Sequence, residues 1–263
     1  MISYLEKSEF FPNGNSEVKD ISTENVVNIF MTRFFLVSFR FGKFKQKFDE
    51  YKYLEDRCKL FLKVCYPSVI QNFSPSDKWY LLVSEPFINF VKEQLGQIDS
   101  RVIVCDVNKA AFSNEIKGLI SSGKLPCVTR IDNDDTISAD YVPLMNKVCK
   151  RLSERIDFSF VSFPFGLQLE LDTNDCSVIL NNTSHTITAF FNSISLPIDD
   201  LWIYDFDHTK MFEYNFSFIV ANTTLPMWSE NITGLNQGNS KRNLAFKINL
   251  QQSLLKVLFR SLF

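Results

Sequence analysis

Glycine is scarce in this chain, 8 among 263 residues, and Gly42 stands alone beside the first apolar run. A loop that cradles phosphates on bare backbone N–H groups needs several glycines after a first strand. Their absence argues against a nucleotidyltransferase. No C-x-x-C pair occurs among Cys58, Cys65, Cys105, Cys127, Cys149 and Cys176. A zinc site and a disulfide framework therefore drop out, and buried free thiols are expected. No apolar window approaches the ~20 residues that cross a bilayer. Met1 to Phe11 has neither a basic segment nor a long apolar core, so no secretory signal is read. The expected location is cytoplasmic. The net charge of −2 gives no general basis for nucleic-acid binding. Phe39 to Phe48 interleaves bases with aromatics as a strand-stacking surface does, but the patch is short.

What the chain does have is phenylalanine, 27 residues, enough for a large aromatic core. Periodicity gives the order of elements. Residues 1–25 are polar and read as a leader. Val26 to Phe39 is a β-branched and aromatic run that predicts a first buried strand. Phe48 to Val69 repeats apolar residues at spacings of three and four, which predicts a helix. Strands follow at Lys78 to Ser84, Arg101 to Val107 and Leu125 to Ile131, and helices at Pro86 to Leu95, Asn108 to Ser122 and Ala139 to Ile156. This alternation predicts an α/β fold with a parallel, doubly wound sheet. Beyond it, Phe158 to Leu171, Ser177 to Leu180, Thr186 to Phe191 and Leu201 to Phe206 read as shorter strands. Residues 26–240 are expected to form one domain. Residues 241–263 carry bases and no acid between apolar residues, which predicts an amphipathic helix. It would lie on an anionic membrane surface or dock on the protein's own core.

The densest chemistry is Thr129-Arg130-Ile131-Asp132-Asn133-Asp134-Asp135, where a β-branched run ends in three carboxylates within four residues. Carboxylates this close repel unless a cation gathers them. A hard divalent ion, Mg2+ or Mn2+, takes such oxygens and shares its shell with substrate phosphates. Acids at the carboxyl end of a strand also sit where open α/β sheets bind ligands. The reading is a metal-and-diphosphate site, and so a nucleotide-sugar enzyme. The alternative is turn chemistry, with Asp135 or Ser138 capping the next helix.

These residues resemble GT-A glycosyltransferases of the family-2 type, and more closely the rhamnosyltransferase family. The resemblance is carried by Thr32-Arg33-Phe34, Tyr66-Pro67-Ser68-Val69-Ile70-Gln71, Trp79-Tyr80-Leu81-Leu82-Val83-Ser84 and the acidic stretch, then by His208-Thr209-Lys210-Met211 and Met227-Trp228. It implies a Rossmann-like GT-A domain, with a mostly parallel central sheet flanked by helices and a mixed second half. It also implies inverting transfer of rhamnose or another hexose from a nucleotide-diphosphate donor to a glycan or polysaccharide acceptor. Asp132 and Asp134 would flank Mn2+ or Mg2+, with Asp134 the direct ligand. Asp135 and His208 are further candidates for the metal shell. Arg33, Arg130 and Asp132 are the candidates for holding the donor nucleotide. Asp207, or else Asp205, Asp199 or Asp200, would take the acceptor proton. His185, in a polar turn, reads as surface, and Trp228 as a sugar platform or a core residue. Two positions depart from the family's pattern: Asn192 stands where it tends to have an acid, and Thr233-Gly234 where it tends to have His-Gly. The rival reading is a non-catalytic sugar- or nucleotide-binding protein.

Overall fold

The computed structural model describes residues 2–5, 22–37, 49–171, 175–223 and 225–232. Two faces of one twisted sheet are covered, so its central strands are apolar on both sides. The strands are β1 (Ile2–Leu5), β2 (Val26–Phe35), β3 (Lys78–Val83), β4 (Val102–Cys105), β5 (Leu125–Arg130), β7 (Phe158–Ser162), β10 (Ile187–Phe191) and β11 (Phe218–Ala221). Their spatial order is β1-β11-β7-β10-β5-β2-β3-β4. Every neighbouring pair is parallel except the two that β10 makes with β7 and β5. This is the α/β sheet with a mixed second half that the GT-A resemblance implies.

Strand β2 illustrates why the sheet is central. Phe30 and Phe34 point to one face and Val27, Ile29 and Met31 to the other, and all of them are buried. Both faces need an apolar set because helices cover both. On the first face lie α1 (Glu50–Lys63), α2 (Cys65–Ile70), α3 (Ile88–Leu95) and α5 (Tyr141–Ser153). On the second lie α4 (Lys109–Ser121) and the 198–206 segment. Thr32 accepts a hydrogen bond from the Trp79 indole at 2.9 Å, and Tyr66 stacks on that same indole. Several of the residues that carried the family resemblance are therefore core.

A second sheet, β6-β12-β8-β9, uses β6 (Thr136–Ile137), β8 (Phe165–Glu170), β9 (Asp175–Leu180) and β12 (Trp228–Ile232). Gly166 lets it close. Trp228 lies against that backbone, and a Cβ there would meet its indole carbons at 2.4 Å.

Four expectations need correction. The predicted helix over 48–69 breaks at Val64 into α1 and α2. The predicted strand over 158–171 is two strands in different sheets, because Pro164 cannot donate to a ladder and the chain turns there. Leu201 to Phe206 is not a strand. Its backbone bonds are local, Leu201 N–H to the Ile198 carbonyl and Asp205 N–H to the Trp202 carbonyl, while its apolar side chains fill the second face. Ile2–Leu5, within the expected leader, pairs with β11 as an edge strand. The predicted C-terminal helix, Thr233-Gly234 and the Phe39 to Phe48 patch lie outside the described residues. Among the described residues, no helix is long and apolar enough to cross a membrane.

Candidate active site

The sheet splits where β2 and β5 part at their C-terminal ends. Chain order runs from β2 through β3 to β4 on one side and resumes with β5 on the other. This reversal opens the crevice in which α/β sheets hold ligands. The two strands stay paired as far as Met31 and Arg130, and Ile131 N–H gives one last bond to the Met31 carbonyl. Beyond it β5 runs into the acids.

The acidic turn is gripped by several elements at once. Arg57 of α1 donates to the Asp134 carboxylate at 3.1 Å and to the Asn133 side-chain oxygen. Asn133 in turn donates to the Phe34 carbonyl. The Asn231 side chain, on β12, donates to the Asp134 carbonyl at 2.6 Å, and Asn231 N–H donates to the Asp135 carboxylate at 3.2 Å. The other oxygen of Asp135 lies 2.8 Å from His185 Nε2, and the His185 ring packs on Trp228. The Asp132 carbonyl accepts from the Cys65 thiol at 3.5 Å.

The three carboxylates thus have three environments. Asp134 is 5% exposed and ion-paired with Arg57, and Asp135 is fully buried beside His185. Asp132 alone is part-exposed, and no described side chain hydrogen-bonds its carboxylate. Burial pushes the Asp132 carboxyl up, but Arg130 and Arg33, with His185 and His208, outweigh it and hold the group below the ordinary carboxylate range. Burial raises Asp135 to about 7 against the pull of His185. On His208, burial acts first, with Arg130 and His185, to lower the imidazole to about 4, so it is neutral at physiological pH.

Arg33 and Arg130, expected near the donor, converge on one aromatic ring. Their guanidinium carbons lie 4.8 and 5.2 Å from the centre of the Tyr204 ring. His208 shares this neighbourhood, 6.4 Å from the His185 ring. Asp205 and Asp207, the expected bases, are exposed. Asp205 is paired with Lys109 at 2.8 Å, and Asp207 caps a short turn by accepting from Thr209 N–H and its hydroxyl. His185 is a correction: it is buried at 8% exposure, not on the surface, because Asp135 and Trp228 enclose it. Trp228 is core, 1% exposed, with its indole N–H bonded to the Phe163 carbonyl. Neither Asp135 nor Ser138 caps the next helix, whose N-terminal residue Asp140 makes no side-chain cap bond. All six cysteines are free, as expected.

Asn192 lies far from the site. β10 runs antiparallel to β5, so Ile187 meets Arg130 at the crevice end and Asn192 emerges at the other. There its amide donates to the Ser153 carbonyl of α5.

Sequence reasoning missed Arg57, Tyr204 and Asn231. A signal existed for Arg57: it stands among Leu54, Cys58 and Phe61 on the buried stripe of α1. A charge in that stripe must have a buried partner. Tyr204 and Asn231 carried none.

A divalent ion needs more donors than one carboxylate supplies. Among the described residues no group of three or more His, Cys, Asp or Glu side chains forms a ready cage. Mg2+ and Mn2+ accept one or two carboxylates with the rest of the shell from phosphates and water. Asp132, with neutral His208 nearby, fits that mode. Asp134 and Asp135 are already matched by protein cations.

Residues 43–244 match the family described as "Putative rhamnosyl transferase". No curated protein matches the chain. Among solved structures, 4-diphosphocytidyl-2C-methyl-D-erythritol synthase from Anaerococcus prevotii is 10% identical, covering 89% of this chain and 94% of its own, with a TM-score of 0.38. A cytidylyltransferase from Leptospira borgpetersenii is 13% identical over 75% of this chain and 76% of its own, TM-score 0.34. TarS of S. aureus, residues 1–349, is 9% identical over 78% of this chain and 60% of its own, TM-score 0.33. Similarity this distant leaves the site's chemistry to be read from its own residues.

Proposed function

Because the chain belongs to the rhamnosyl transferase family and is a glycosyltransferase, we propose that the β2–β5 crevice takes a nucleotide-diphosphate sugar and passes its sugar to a glycan hydroxyl. The observation that carries this reading is the trio of Arg33, Arg130 and Asp132. Two guanidiniums meet on one ring at the ends of adjacent strands, beside Asp132, the one part-exposed acid of the turn. Planar guanidinium forks suit phosphate oxygens, which they bind through paired N–H donors.

In this reading Arg33 and Arg130 hold the donor's diphosphate and disperse the charge that grows on it as the glycosidic bond breaks. Asp132, and neutral His208, would hold Mn2+ or Mg2+. That ion would supply further charge neutralisation for the departing nucleoside diphosphate. Asp134 and Asp135 act through structure, keeping the turn rigid so that Asp132 is presented in one orientation. The acceptor hydroxyl attacks the anomeric carbon from the face opposite the diphosphate and inverts it. Its proton passes to a carboxylate, for which we propose Asp207: Thr209 uses its Oδ1, and Oδ2 is left for the proton.

The test is a panel of nucleotide sugars, with and without Mn2+, on the wild type, Asp132→Asn and Asp134→Asn. Asp132→Asn is expected to fold normally and to lose at least about a hundredfold in turnover, the loss typical of removing one group that stabilises developing charge. Asp134→Asn should chiefly lower stability, by about 3 kcal/mol, since it strands a buried guanidinium. Full turnover by Asp132→Asn would sink the assignment. Donor binding with no transfer to any acceptor would instead favour a non-catalytic sugar-nucleotide binding protein.

A further inference from the structure

The Tyr204 hydroxyl occupies the fork of the sheet. It donates to the Met31 carbonyl at 2.7 Å and accepts from the Arg33 N–H at 3.2 Å. Met31 C=O and Arg33 N–H both belong to the β2 edge that faces β5. That edge loses its partner strand after Arg130. An unpaired, half-buried N–H there would be costly, and the phenol supplies the missing partner. Burial raises the Tyr204 hydroxyl well above its usual range, so it keeps the proton it donates.

The same side chain sets the crevice's charge. Two guanidiniums that share one ring repel each other. The ring's negative face offsets part of that cost at each contact. Arg130 is 4% exposed, yet its Nε has no hydrogen-bond partner. A buried donor without a partner, on a guanidinium that shares its ring with a second one, marks a place for an anion. Because the cations come from two separate strands, an anion with two charged centres matches them better than one with a single centre.

We propose that Tyr204 is a positioning residue that sets Arg33 and Arg130 as a two-point clamp, and that this clamp makes the site prefer nucleoside diphosphates to nucleoside monophosphates. The inference rests on the nucleotide-sugar reading of the same crevice. It adds the feature that selects the ligand's phosphate count, together with the residue responsible.

The experiment is calorimetric titration of the full chain with UDP, GDP and dTDP and with the matching monophosphates, in the presence of Mn2+. The wild type is expected to bind one diphosphate at least about tenfold tighter than its monophosphate. Tyr204→Leu should lose about tenfold for the diphosphate, the scale of a desolvated cation–π contact, and clearly less for the monophosphate, so that the ratio of the two affinities falls. Tyr204→Phe keeps the ring and should keep most of the preference. General loosening of the fold would weaken both ligands alike, so the ratio separates positioning from stability. If Tyr204→Leu does not fold, Tyr204→Met, which fills the space without an aromatic face, is read in the same way. An unchanged ratio in the folded variant overturns the inference and leaves the nucleotide-sugar reading standing. Failure of the wild type to bind any of the nucleotides overturns both.

Discussion

Arg57 carries a stability cost that its place in the fold makes measurable. Its guanidinium and the Asp134 carboxylate are 8% and 7% exposed, so each is the other's main compensation for leaving water. Removing one partner of a buried pair costs about 3–5 kcal/mol, because the survivor is stranded. Arg57→Ala is therefore expected to lower the midpoint of denaturant unfolding strongly. Arg57→Met with Asp134→Leu should recover much of the loss, since two apolar groups of similar volume strand no charge. If the double variant is as unstable as the two single losses added together, the pair is not coupled and the turn is held by its other contacts. The sequence displayed the three acids but not how they divide. Asp132, Asp134 and Asp135 are chemically alike in a string of letters. Their difference is made by Arg57, His185 and Asn231, which lie 77, 50 and 96 residues from the acids they meet. Arg33 was legible as a donor-side candidate through the family resemblance, and Arg130 through its place two residues before Asp132. The ring they share was not legible, since Tyr204 belongs to a segment whose alternating apolar residues imitate a strand.

At the level of elements, β2, β3, β4 and β5 were readable because a parallel strand covered on both faces is a continuous apolar run, bounded by turns and followed by a helix-period stripe. The second half obeys other constraints. β7 and β8 form one apolar stretch in sequence, and only the change of sheet at Pro164 divides them. β12 hides for the opposite reason: Ser229, Glu230 and Asn231 are all buried at 2% exposure or less, so its polar residues read as surface. Of these, Asn231 reaches the acidic turn and hydrogen-bonds both Asp134 and Asp135. The tie between β8 and β12 should be correspondingly sensitive. Gly166→Ala places a methyl where Trp228 already lies, and overpacking of this kind costs about 1–3 kcal/mol. For a chain of this size, each 1 kcal/mol lowers Tm by roughly 2–4 °C. Because Trp228 also packs on His185, the same variant should reduce transferase turnover even at temperatures where it stays folded. An alanine variant with wild-type Tm would mean that the indole moves aside without loss.

Across the whole molecule, charge is nearly balanced, yet the crevice concentrates both signs: Asp132, Asp134, Asp135 and Glu230 against Arg33, Arg57, Arg130 and His185. That concentration makes folding depend on pH in a definite direction. Burial alone would lower the His185 imidazole, but Asp135, followed by Asp132 and Glu230, reverses this and lifts it to about 9 from an ordinary 6.5. Between those two values the folded protein holds a proton that the unfolded chain has released. The folded state then binds more protons, so stability falls as pH rises. His185's contribution is complete below about pH 6.5 and disappears as pH passes through about 9. Asp135, raised to about 7, acts in the same direction at lower pH, where the folded state keeps a proton that a free aspartate loses near 3.8. The buried thiols enter only later: Cys176 is raised to about 11 and Cys58 to about 12, both from 9.0. The interval from pH 7 to 9 therefore belongs chiefly to His185. Thermal unfolding across that interval should give a steadily falling Tm for the wild type. His185→Gln, less stable at pH 7, should give a much flatter line, with the two curves converging toward pH 9. Equal slopes would show that the imidazole carries no extra proton in the folded state, and that Asp135 is itself protonated where it meets the ring.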